Sequence, residues 1–475
     1  MKDLLQSVLD LAREKGATYA DVRWVQRRNE PLQMKNGNVE TLATFQDEGF
    51  GVRVIVDGGW GFASTPSAKR EDLARTVDAA VEIAKASALC RLDGIKLAPV
   101  KPVVDRRETK VIRDPFAVPM EEKIQLLLAC HEAMRAVPEV KVTQGSITIW
   151  EERKIFASSE GAYIEQKVTE TGASISAHAR DSHDVQRRSF SNYMNAGYEW
   201  IEEMNLVGKA ATLAQEASQL LSAPECPRGE TTLILGSEQV ALQIHESCGH
   251  PVELDRVMGT EATYAGTSFL TPEKWGSFRY GSEVVNITAD ATIEEGLGGF
   301  FYDDEGVPAQ RTPIITEGIF TNYLTSRETA LEYGSSSNGT MRAVGWSNLP
   351  LIRMTNINLE PGNWTLAEMI RTTKEGVYME TPKSWSLDDK RLNFHFGCEI
   401  AYEIKDGKLG RMLKNPAYTA MTPVFWNSCD AVANQDEWQL WGMPSCAKGE
   451  PVQVVHVAHG ASPARFQNIK VGVGE

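Results

Sequence analysis

Hydrophobic residues recur with a helical period between Leu4 and Lys15, at Leu4, Leu5, Val8, Leu9, Leu11 and Ala12. That stretch is predicted as an amphipathic helix ended by Gly16. Tyr19 to Gln26 then reads as a strand. Further strands follow at Gly37 to Phe45, Gly49 to Val56 and Trp60 to Ser64, with tight turns such as Asp57-Gly58-Gly59 between them. Ser67 or Glu71 opens a second helix that runs to Ser87. The stretch from Leu92 to Pro119 is rich in proline, charge and isolated valines, and reads as a linker or an extended crossing segment. A helix from Met120 to Ala136 comes next. Strands follow at Val140 to Trp150, Arg153 to Ser158, Ala162 to Ser176 and Ala177 to Asn192, and then one long helix from Glu199 to Leu221. Sheet-then-helix thus occurs twice before residue 222, the order that two similar halves would give.

Pro224 to Gly229 holds two prolines and a glycine and marks a domain boundary. Residues 1–225 are predicted as an amino-terminal domain and residues 226–475 as a carboxy-terminal one. Thr231 to Leu235 is a short strand, and Gly236-Ser237-Glu238 starts a helix. From Phe269 onward the pattern is rich in turns and strands: Val284 to Ala289, Thr312 to Leu324, Ile352 to Leu359, Asn393 to Lys405, Lys408 to Pro416 and Val452 to His459. One helix, Thr365 to Glu375, interrupts it. The predicted class is α+β, with an α/β amino-terminal domain of sheets and helices and a carboxy-terminal domain rich in antiparallel strands.

Composition narrows the partners. A chain of 475 residues exceeds one ordinary core, which agrees with two or three domains. The net charge of -15 argues against nucleic acid and against an anionic membrane as partner, since both call for basic surface. No run approaches the ~20 apolar residues of a membrane span. The start, Met1-Lys2-Asp3-Leu4-Leu5, lacks the pattern of a secretion signal. The 7 cysteines are scattered without regular spacing, which predicts reduced thiols and a cytoplasmic location. Most are expected as small buried hydrophobes.

The chemistry concentrates in His245-Glu246-Ser247-Cys248-Gly249-His250, ahead of Pro251. Imidazole and thiolate are preferred zinc ligands, and a neighbouring carboxylate serves as a general base. The helical zinc motif His-Glu-x-x-His has a spacing one residue shorter. On an ideal α-helix a step of five leaves the two side chains roughly 140° apart. His245 and His250 therefore meet one metal only if the helix carries a π-bulge or breaks near Gly249. Pro251 favours a break, because the residue before proline is pushed out of the α region. A second region, Gly442 to Gly449, holds Cys446 in what reads as a loop of small residues. Two imidazoles and that thiolate leave a fourth position open, as a catalytic zinc requires.

These residues, taken with others, resemble the TldD/PmbA family of metalloproteases along most of the chain. His245-Glu246-x-x-x-His250 matches its His-Glu-x-x-x-His. Tyr302 to Pro308 with Arg311, and then Gly318 to Ala330, match its central block. Arg353-Met354-Thr355-Asn356 followed by Pro361-Gly362 matches another, and Gly376-Val377-Tyr378, Phe394 to Ile404 and Gly410-Arg411 also fit. The resemblance implies an amino-terminal α/β domain and a β-rich carboxy-terminal domain carrying the metal. It implies Zn2+ held by His245, His250 and Cys446. Glu246 is then the general base when metal-bound water attacks the scissile carbonyl. It implies unfolded or leader-type peptides as substrates in the cytoplasm, and a closed dimer, either a homodimer or a heterodimer with a paralogous family member. The chain departs from the family's cysteine loop, Cys-Gly-Lys-x-Gly-Gln, in reading Cys446-Ala447-Lys448-Gly449-Glu450. Non-catalytic paralogues lack the His-Glu motif, so this chain resembles the active type.

The alternatives are a non-catalytic peptide-binding or regulatory subunit with a structural metal, and a zinc amidase. An intact glutamate beside the histidines favours catalysis, since a structural zinc has no use for one. Cys248 is a weaker ligand candidate than Cys446, because helical geometry places it on another face from His245. His456 and His459 are expected as structural residues or as partners of the ligands, and His395 as a satisfied strand histidine. Asp303-Asp304-Glu305 is expected as a solvated turn, and Tyr302 is a candidate oxyanion donor. Substrate is expected to add as a strand to an exposed sheet edge.

Overall fold

The computed structural model describes residues 1–90, 93–264 and 266–474. Residue 92, the first of the expected linker, lies outside them. The amino-terminal half is one 8-stranded sheet with helices on one face. The first helix, α1 (Lys2–Glu14), is followed by β1 (Tyr19–Lys35), β2 (Asn38–Leu42), β3 (Phe45–Val56), β4 (Gly59–Thr65) and α2 (Arg70–Ala88). After β5 (Val104–Glu108) come α3 (Met120–Arg135), β6 (Val140–Ser158), β7 (Tyr163–Arg180), β8 (Val185–Met194), α4 (Glu199–Glu203) and α5 (Leu206–Ser222). The main order is β4-β3-β1-β6-β7-β5, with β2 added to β1 and β8 to β7. The two sheet-then-helix runs therefore share one sheet, joined where β1 lies antiparallel to β6.

Strand alternation decides which face meets what. On β1, Ala20 and Val22 pack with α1 and α2, and Leu32 and Met34 with α3 and α5. On β6, Ile155 and Ala157 join the first core and Ile147 and Ile149 the second. The intervening residues, Asp21, Arg23, Lys154 and Phe156, face the carboxy-terminal half. There they meet the acidic run at 303–305. Asp304 pairs with Lys154 at 2.9 Å and Arg23 at 3.7 Å, and Glu305 with Arg53 at 3.3 Å. All three acidic residues are buried, so the expected solvated turn is instead a charged seam between the halves. Buried charges persist when paired, as Asp304 and Glu305 are. Among the described residues Asp303 forms no ion pair and instead accepts hydrogen bonds from the backbone N–H groups of Glu305, Val307 and Met341, while burial and the neighbouring Glu305 push its carboxyl up.

Other differences are local. The long helix expected over Glu199 to Leu221 is two, because Asn205 takes a left-handed conformation with φ 48. The expected linker carries β5, which pairs parallel with β7 as a crossing segment. The breaks expected within β6 and near Ser176 are absent, and β7 runs on to Arg180 before turning.

The carboxy-terminal half begins with β9 (Gly229–Leu235). Five strands pair in a closed ring: Glu375–Leu387, β9, Ala464–Val473, Pro416–Met421 and Asn393–Lys405, the last pairing back to the first. The α+β class holds. From the end of β9 the helix α6 (Ser237–Ile244) carries the chain to the His-Glu stretch, and a hairpin of Gln439–Lys448 with Gln453–Ala461 lies against it. No helix among the described residues is long and apolar enough to cross a membrane.

Candidate metal centre

The two histidines meet because the helix changes pitch under them. After α6, residues His245–Gly249 form a π-helical turn, and His250–Val252 a 3-10 turn. The His250 N–H donates to the His245 carbonyl, five residues back. That wider turn brings a five-residue spacing into near-register, and the rings pack edge to face with centroids 4.8 Å apart. Ser247 contributes by donating its hydroxyl to the Gln243 carbonyl at 2.5 Å, a bond that competes with the regular ladder. Gly249 is required by close approach: a Cβ there would lie 2.0 Å from Met354 Sδ.

Cys446 arrives from the hairpin. The expected loop is strand Gln439–Lys448 with an irregularity between Met443 and Cys446, which turns the thiol toward the histidines. Candidate ligand atoms of His245, His250 and Cys446 all lie within 4.8 Å of one another. Cys446 Sγ is 3.9 Å from His250 Nε2, and all three residues are buried.

The surrounding hydrogen bonds set which ring nitrogens are free. His459 Nδ1 donates to the Ile357 carbonyl at 3.0 Å, so its Nε2 is an acceptor. That Nε2 takes the proton of His245 Nδ1 at 2.8 Å, which leaves a lone pair on His245 Nε2. His250 Nδ1 donates to Glu253 Oε2 at 3.0 Å, which leaves a lone pair on His250 Nε2. Burial pushes the pKa of His245 down to about 4 and lowers that of His250, so both rings are neutral near pH 7. Burial pushes the Cys446 thiol up, but opposing influences, the Arg353 guanidinium first among them, leave it below its ordinary value. The Arg353 guanidinium lies 3.2 Å from that sulfur. Burial likewise opposes ionisation of Glu253, yet Lys448, His250 and Arg256 hold it well below the usual carboxylate range. Two neutral imidazoles with inward lone pairs and an acidified thiol are a donor set suited to zinc.

Glu246 follows His245 and accepts a hydrogen bond from Arg391, on the turn after strand Glu375–Leu387. Both line a cavity of about 470 Å³ that opens onto His245, His250 and Cys446. Trp385 and Trp441 line it, and β8 adds Arg187, Ser189 and Ser191 from the other half.

Other candidates fall elsewhere. Cys248 is buried, and burial raises its thiol to about 12, so it is a poor ligand. His456 binds Glu170, on the other side of its strand from His459. Tyr302 donates to Asp105 at 2.7 Å and lines a different cavity. His395 is exposed. Sequence reading missed Glu253, Arg353 and Arg391 as site residues. Glu253 had a signal in its spacing of three from His250, whereas the two arginines come from distant strands and turns.

Two neutral imidazoles and an acidified thiol beside a carboxylate, at the wall of an open cavity, are the kind of group that metal-dependent hydrolases use. The chain belongs to the PmbA/TldA metallopeptidase family. The family's C-terminal domain matches residues 228–472, its domain 1 residues 20–84, and its central domain residues 113–223. A metalloprotease of Methanocaldococcus jannaschii is 31% identical over 84% of this chain and 85% of its own length. A zinc metalloprotease TldD homolog of Saccharolobus solfataricus is 25% identical over 97% and 98%. Among solved structures, TldE from Thermococcus kodakarensis shares the fold, with a TM-score of 0.79 at 17% identity over 99% of this chain and 100% of that one.

Proposed function

We propose that this chain is a zinc-dependent metalloprotease that hydrolyses peptide bonds of unfolded or leader-type peptides. His245, His250 and Cys446 hold the zinc, and Glu246 is the general base. The observation that carries the reading is the pair of relays, Ile357–His459–His245 and Glu253–His250, which aim two imidazole lone pairs at one thiol. Zinc bound there supplies Lewis acidity toward a carbonyl and acidifies water.

The chain's own residues do the rest. Glu246 takes the proton of the attacking water and returns it to the leaving amine. Arg391 fixes the position of that carboxylate. Trp385 and Trp441 offer apolar walls, and the cavity between β8 and strand Gln439–Lys448 accepts an extended peptide backbone. Assembly as a closed dimer, with itself or with a paralogous family chain, belongs to the same reading.

The test is metal analysis of the purified protein beside cleavage of an unstructured peptide library, with and without a chelator. About one zinc per chain and chelator-sensitive cleavage are expected. Full zinc content with no cleavage would favour the structural-metal alternative. Full zinc content in Cys446→Ala would remove that residue from the site.

A further inference from the structure

A second cavity, of about 360 Å³, lies between the face of the amino-terminal sheet opposite its helices and the carboxy-terminal half. None of its lining residues lines the metal cavity. Its size falls in the range of small-molecule sites. One wall carries Trp150 and Lys154 of β6 and Glu170 of β7, and the other Arg342, Phe300 and His456.

The charges in that wall are unequal in their partners. Lys154 pairs with Asp304 and Glu152, Arg27 with Asp47, Glu151 with Lys167, and Glu170 with His456. Arg342 donates to two carbonyls, of Met354 at 3.0 Å and His456 at 2.8 Å, and lies 5.4 Å from the Phe300 ring. Among the described residues no carboxylate forms an ion pair with it. Burial, with Arg353 beside it, lowers its pKa. A half-buried guanidinium at a cavity wall, held by carbonyls and ion-paired to no carboxylate among the described residues, is a site for a planar anion, which it binds by two parallel hydrogen bonds.

We propose that this cavity binds a free amino acid or short peptide as a zwitterion, its carboxylate on Arg342 and its apolar side chain against Trp150 and Phe300. The wall itself argues for a zwitterion over phosphate. Asp47, Glu151, Glu152, Glu170 and Asp304 outnumber Arg27, Arg28, Lys154 and Arg342. A dianion meets more repulsion than attraction there, whereas an ammonium group finds carboxylates opposite the arginine. That such ligands arise as products of this chain rests on the proposed peptidase activity. The binding does not.

Calorimetric titration of the full-length Glu246→Gln variant, which should leave the probe uncleaved, tests the site. The probes are the dipeptide Ala-Phe, its carboxy-terminal amide, and inorganic phosphate. Ala-Phe should bind equally in zinc-loaded and metal-stripped protein. The amide should bind at least ~10-fold more weakly, the loss expected for a charge-assisted hydrogen bond. Arg342→Gln should weaken Ala-Phe by the same factor. Should that variant not fold, the amide comparison decides alone. Equal binding of dipeptide and amide, tighter binding of phosphate, loss of dipeptide binding on metal stripping, or no binding at millimolar concentration would each overturn the proposal. Because no arm reads hydrolysis, a chain without peptidase activity can still pass, and an active protease can still fail.

Discussion

Glu246 and His459 both neighbour His245 but have different partners, and substitution separates their roles. Glu246 faces the cavity and bonds to Arg391, while His459 is fully enclosed and bonds to His245. On the proposed reading Glu246 is the base, and a base acts on the transition state and hardly on metal binding. Glu246→Gln should keep zinc stoichiometry and melting temperature while lowering kcat at least ~10²-fold, with little change in KM. Zinc loss in that variant would recast Glu246 as a ligand. His459→Ala should do the reverse at the metal. It frees His245 Nδ1 and the ring's orientation, so zinc affinity should fall about 10–100-fold in a chelator competition, as for other partners of metal-bound histidines. Unchanged affinity would make the His459 contact incidental. Cys248→Ser serves as the control, because Cys248 lies outside the cluster, and its zinc content should match the parent.

At the scale of elements, the π turn His245–Gly249 is what permits the five-residue spacing, and Gly249 is its weak point. Gly249→Ala sets a methyl against the fully buried Met354 side chain. Overpacking of that kind costs about 1–3 kcal/mol. Differential scanning calorimetry should show a lower melting temperature, and zinc content should drop because the turn shifts His250. Adding Met354→Ala should restore zinc without restoring stability; if it does not, the turn's geometry is not what Gly249 protects. The sequence showed that some such device was needed, since 3.6-residue periodicity alone sets the two histidines on different faces. It did not show which device. Legibility elsewhere followed the range of the interactions. Asn393–Lys405 was bounded correctly because it opens with the buried Phe394 and Phe396 alternating with the exposed Asn393 and His395. Glu375–Leu387 was missed, because its stretch from Lys383 to Ser386 is exposed and its parallel partner β9 is distant in sequence, Gly376 pairing with Thr232. Cys446 was placed in a loop because Gly442, Pro444 and Ser445 look like turn residues, whereas pairing to Gln453–Ala461 makes them an irregularity within a strand. The acidic run at 303–305 looked solvated for the same reason. Its cations, Arg23, Arg53 and Lys154, come from strands of the other half.

For the whole molecule, that seam holds the amino-terminal sheet against the half that carries the metal centre. It is also where pH acts on the assembled fold. Burial opposes ionisation of Asp304, but Lys154 and Arg23 outweigh it and keep its pKa below the ordinary 3.8. A carboxylate whose folded pKa is depressed contributes stability above its unfolded pKa and loses it as pH falls through the folded value. The Asp304 contribution is therefore present at pH 7 and lost below about pH 4. Asp304→Asn removes the charge, leaving Lys154 with Glu152 and the buried Arg23 without its carboxylate, at a cost of about 3–5 kcal/mol. Thermal unfolding between pH 7 and pH 3 should show the variant well below the parent at pH 7, with the gap narrowing through the acid limb. Because β8 contributes Arg187, Ser189 and Ser191 to the metal cavity, loosening the seam should also raise KM for peptide while zinc content stays near one per chain. A variant with parental stability at pH 7, or a gap that stays constant down to pH 3, would show that the seam's charges do not hold the halves together. A loss of zinc with unchanged KM would place the effect at the metal instead of at the cleft between the halves.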